Sequence, residues 1–169
     1  MAIHYADVTT TATEYAHERG SGLSGGGQIR MLRAFYTTTT GTDEATNDTI
    51  VLGSLPVGSV VIPQLSWYAH EVLAATAWTM NIGDSTDTDR YCIGQDLKAT
   101  TGLRSFLRLD WDSADPSGGG DIITAFPDAV FNPHTVTEAT RQVIATLTSI
   151  TGPVASRDIS FCIAYHAQV

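Results

Sequence analysis

The stretch ATAWTMNIG, residues 75–83, alternates cleanly. Trp78, Met80 and Ile82 fall on one face of an extended chain, and Ala77, Thr79 and Asn81 on the other. Side chains leave a strand on opposite sides at successive residues, so a period of two with the large apolar groups on one side predicts a strand packed on a core. The same pattern recurs in RDISFCIAYHAQ near the end of the chain, where Ile159, Phe161, Ile163 and Tyr165 alternate with Ser160, Cys162, Ala164 and His166. RMLRAFYTTT places Leu32, Ala34 and Tyr36 on one face and Met31, Arg33 and Phe35 on the other.

Between these segments the breakers of a β protein appear. LPVGS, residues 55–59, carries Pro second and Gly fourth in a four-residue turn, as a type I reversal prefers. SVVIPQLSWYA follows and reads as a long strand interrupted at Pro63, which cannot donate to a ladder and so suggests an edge or a bulge. DTIVL, RYCIGQ, FLRLDW, DIITAF and RQVIATLTSIT supply further strands, and TVTEATRQ has room for one helical turn. Many short strands at intervals of roughly 10 to 15 residues with Gly and Pro turns predict an all-β protein, a jelly roll or related antiparallel β-sandwich.

Composition agrees. The chain has 169 residues, 43% hydrophobic and only 16% charged, enough for one core and one domain over residues 30–169. Residues 1–29 differ in texture, being polar, small and glycine-rich, and predict a flexible N-terminal arm outside the core. Ile3, Tyr5, Val8 and Tyr15 give that arm apolar anchors and are candidate interface residues. With 9 basic against 18 acidic residues the formal charge is -9, which repels nucleic acid and anionic membranes at long range. No basic segment followed by an apolar run opens the chain, and a soluble protein is expected.

Signals for chemistry are present in letters and absent in context. GSGLSG, residues 20–25, fits G-x-G-x-x-G, but no strand precedes it and no helix follows, so no pyrophosphate would meet a helix N-terminus. GLSGG matches the hydrolase elbow around Ser24, yet that corner belongs to an α/β sheet. Cys92 and Cys162 sit in apolar runs and read as buried thiols, with no zinc spacing. Asp84, Asp87 and Asp89 form an acidic hairpin tip without the order of a calcium loop. Trp111 between Asp110 and Asp112 is a candidate interface or sugar platform. No catalytic, cofactor-binding or metal residue is selected, and none is expected.

AFYTTTTGTDEATNDTIVLGSLPVGSVVI, residues 34–62, with MNIGDSTDTDRY, residues 80–91, resembles the capsid cement or decoration proteins of tailed bacteriophages. The likeness is an order of structural parts over residues 34–95. It implies a non-enzymatic jelly roll, made in the host cytoplasm, that binds the outer surface of the phage head. The implied partners are the major capsid protein and further copies of the chain, a homotrimer ahead of a dimer. A virion module that binds carbohydrate or a receptor through Trp111 is the alternative, and a jelly-roll hydrolase a third.

Overall fold

A computed structural model describes residues 2–10, 28–39, 44–71, 77–97, 102–106, 136, 141–151 and 156–167. Among them lie eleven strands: β1 Ile3–Tyr5, β2 Asp7–Thr10, β3 Gln28–Thr37, β4 Thr49–Ser54, β5 Val60–Val61, β6 Trp67–His70, β7 Ala77–Asp84, β8 Cys92–Asp96, β9 Gly102–Ser105, β10 Gln142–Thr151 and β11 Asp158–Ala167. The expectation of an all-β sandwich is met.

The topology is that of a long hairpin rolled up. Antiparallel pairs join β3 to β11, β4 to β10, β6 to β9 and β7 to β8, so the first half of the chain runs against the second. Rolling brings β11 beside β6 and β10 beside β7, which closes two sheets. The first has the order β1-β4-β10-β7-β8 and the second β2-β3-β11-β6-β9, with β5 also on β11. Eight strands wound in this order make a jelly roll.

The core fills the space between the sheets with the residues whose alternation marked them. Trp78, Met80 and Ile82 of β7 are fully buried, as are Ile50, Leu52, Tyr68, Val143 and Leu147. Thr79 and Asn81 are half-buried on the opposite face. On β3 the inward face is Leu32, Ala34 and Tyr36, and on β11 it is Ile159, Phe161, Ile163 and Tyr165. Both cysteines are buried thiols, Cys92 in the core and Cys162 on the other side of β11.

Three expectations are corrected. Pro63 does not interrupt a single strand: β5 and β6 are separated by a 3-10 turn over Pro63–Leu65, and β6 lies inside its sheet between β11 and β9. The proline's missing donor is harmless in the first position of that turn. The reversal after β4 has Gly58 third, with φ +81° and Ser59 N–H donating to the Pro56 carbonyl at 3.1 Å, which is the geometry of type II and favours glycine.

The boundary at residue 30 also moves. β1 adds in parallel to β4 and β2 adds antiparallel to β3, so residues 3–10 extend both sheets of their own chain across one open side of the sandwich. The physical reason is edge satisfaction: β4 and β3 would otherwise expose unpaired main-chain groups. Residues 11–27, with Tyr15, lie outside the described residues.

Candidate assembly surface

Two polar clusters hold the ends of the roll. Asp48, just before β4, is buried and accepts hydrogen bonds from the Ala2 N–H and, at 2.9 Å, from the Ala45 N–H. His4 Nε2 lies 3.5 Å from its Oδ2, and the His4 ring meets Tyr36 edge-on at 6.0 Å. Burial alone would push the Asp48 carboxyl up, but these donors outweigh it and hold the group below its usual range. Asp48 thereby clasps the N-terminal strand to the body.

The second cluster surrounds Asp84 at the end of β7. Its Oδ2 lies 2.9 Å from Arg90 Nε and 3.3 Å from Arg141 Nη1, and Tyr91 Oη donates to it at 3.4 Å. Its Oδ1 accepts the Thr86 and Asp87 N–H groups. Burial raises its pKa, and the Thr86 hydrogen bonds with the two guanidiniums more than reverse that, leaving it lowered. Asp89 moves the other way, raised by its hydrogen bond to Asp87, by burial and by that neighbour's charge. Asp84 is thus turned inward as the anchor of the β7–β8 turn and is no part of a solvated tip, and Asp84, Asp87 and Asp89 are not a set of three converging carboxylates.

The sequence candidates on the arm divide. Ile3 and Tyr5 stand 58% and 72% exposed on β1, beside Thr49 and Val51 on the outer face of the first sheet. Val8 pairs with Ala34 in β2. Trp111, Asp110 and Asp112 lie outside the described residues, so no geometry joins them.

A surface not singled out by sequence lies on the outer face of the second sheet. Paired residues on neighbouring strands share a face, so the register sets out lines of side chains across it. Asp7, Phe35, Ser160, Ala69 and Leu103 form one line, and Arg33, Cys162, Trp67 and Ser105 the next. Met31 and Ala164 follow, then Ile29, His166 and Val60. Leu103, Ile29 and Phe35 are 68%, 55% and 41% exposed. The Cys162 thiol in the middle is pushed up by burial, with Arg33 pulling against it, so it behaves as an inert small hydrophobe. Part of the signal was present in the alternation of β3, whose second face sets the large apolar Met31 and Phe35 on either side of Arg33.

The fold is shared with two solved phage capsid chains. One belongs to the cyanophage Pam1 capsid asymmetric unit, with a TM-score of 0.54 at 19% identity, covering 94% of this chain and 97% of that one. The other belongs to the capsid of Ralstonia phage GP4, with a TM-score of 0.56 at 16% identity, covering 99% of both chains. No protein-family model matches the chain, and no curated protein does. At these identities the likeness establishes the fold. It extends over nearly the whole length of each chain.

Proposed function

We propose that this chain is a structural protein of a tailed-phage virion, a cement or decoration protein that binds the outside of the head and stabilises contacts between capsomers. The observation that carries the reading is the end-to-end likeness to chains in two phage capsids. In this reading the protein performs no catalysis. It is made in the host cytoplasm, assembles as a homotrimer and binds the major capsid protein. Binding the assembled shell in preference to the free subunit stabilises the shell by mass action, and many copies add avidity.

Ile3 and Tyr5 are the proposed shell contacts, since large apolar groups exposed on an edge strand suit burial against a partner. The test is to add the purified protein to heads that lack it and to measure sedimentation with the heads, their melting temperature and the added density in cryo-electron maps. Saturable binding that raises head stability, weakened by Tyr5→Asp, is expected. Heads left bare while the protein binds host-cell polysaccharide would overturn the reading in favour of a receptor module.

A further inference from the structure

From the outer face of the second sheet we infer that this surface, centred on Phe35, Trp67 and Leu103, is the contact between copies of this chain. The inference deepens the self-association in the function proposed above and rests on it. Two observations carry it. The face carries large apolar groups on neighbouring strands, with Ile29, Met31, Phe35, Trp67, Ala69 and Leu103 presented outward around Arg33 and Ser160, whereas the middle of the first sheet's outer face presents Thr49, Thr79, Asn81 and Thr146, with the exposed Ile3 and Tyr5 confined to its β1 edge. A contiguous apolar patch of that kind on a protein surface marks an interaction site.

The charges favour a second copy as the occupant. Arg33 lies near the middle of the face, and Asp158, exposed and paired with Thr37, lies at its end. Four residues of strand, about 14 Å, separate the two lines, so they do not pair within one chain. A neighbouring copy carries both the apolar surface and a carboxylate to meet Arg33, and opposite charges so placed fix the register of the contact.

Native mass spectrometry and light scattering on the full chain test this. The parent is expected to run as a multiple of the single chain, and Phe35→Asp and Leu103→Asp as single chains that keep the parent's circular dichroism. Tyr5→Asp, on the other sheet, is expected to remain associated. Arg33→Asp should weaken association about tenfold, and adding Asp158→Arg to it should restore most of the loss. A parent that runs as a single chain, surface variants that stay associated, or a double variant as weak as Arg33→Asp would overturn the inference. Single chains that still bind heads would do so while leaving the capsid reading intact. Chains that associate through Phe35 and Leu103 yet ignore the heads would do the reverse.

Discussion

Asp84 and Arg141, 57 residues apart in sequence, meet where β7 ends and β10 begins, with Oδ2 and Nη1 3.3 Å apart and both side chains buried. Arg90 completes the cluster from the turn that follows β7, with its Nε 2.9 Å from the same oxygen. Removing one partner of a buried pair leaves the other charge uncompensated, at a cost of about 3 to 5 kcal/mol. Asp84→Ala is therefore expected to lower the melting temperature by about 10 °C or more. A shift of only a degree or two in a thermal scan would show that the cluster contributes nothing.

The same residue sets an acid limit. Its folded pKa lies below the 3.8 of the free carboxyl, so the native state binds its proton less readily than the unfolded chain does. The stabilisation is therefore fully present above about pH 4 and is lost as pH falls through the folded value. Asp48 has the same sign. Melting temperature measured from pH 7 down to pH 2 should fall steeply below pH 4 in the parent. Asp84→Asn should start lower and fall less over that window.

Trp78 and Thr79 test the register of β7. Trp78 is fully buried, and its replacement by Ala should cost about 3 to 5 kcal/mol in urea unfolding. Thr79 shares a hydrogen bond of 2.8 Å with Thr148 on the outer face, so Thr79→Ala should stay within about 1 kcal/mol. Equal losses would mean that the alternation does not describe burial.

Gly83 is held by close approach of main chain. A Cβ there would stand 2.1 Å from the Asp87 carbonyl oxygen and 2.5 Å from the Thr88 carbonyl carbon, so the turn would have to shift. Gly83→Ala is expected to destabilise by about 1 to 3 kcal/mol and to loosen the Asp84 cluster. Amide exchange at Asp84 and Asp87 in the variant, faster than in the parent, is the local readout.

Deleting residues 1–6 should remove β1 and with it the Ala2 and His4 donors on Asp48, leaving the β4 edge open. The expected result is a folded protein with a lower melting temperature and faster amide exchange along Thr49–Val51. An unchanged melting temperature would return the segment to the status of a free arm.

The sequence by itself determined which residues of β3, β7 and β11 share a face, because strand alternation is a local property written into every second residue. It marked the reversals, because Pro fixes φ and Gly admits the positive φ that a turn requires. Trp78, Met80 and Ile82 were legible as core for that reason. Only the tertiary structure decided that β3 pairs with β11 and β4 with β10. The hydrogen bonds of a ladder are made by the main chain, which is the same at every residue, so partners are chosen by how the whole core packs. It likewise decided that residues 3–10 extend both sheets, since a short segment with Ile3, Tyr5 and Val8 as its apolar groups carries no sign of the two open edges that it pairs with. Asp84 and Arg141 carried no sign of each other across 57 positions. The outer face of the second sheet was hidden for a related reason: Phe35 and Met31 lie on one strand, Trp67 and Leu103 on two others, and only the register brings them onto one surface.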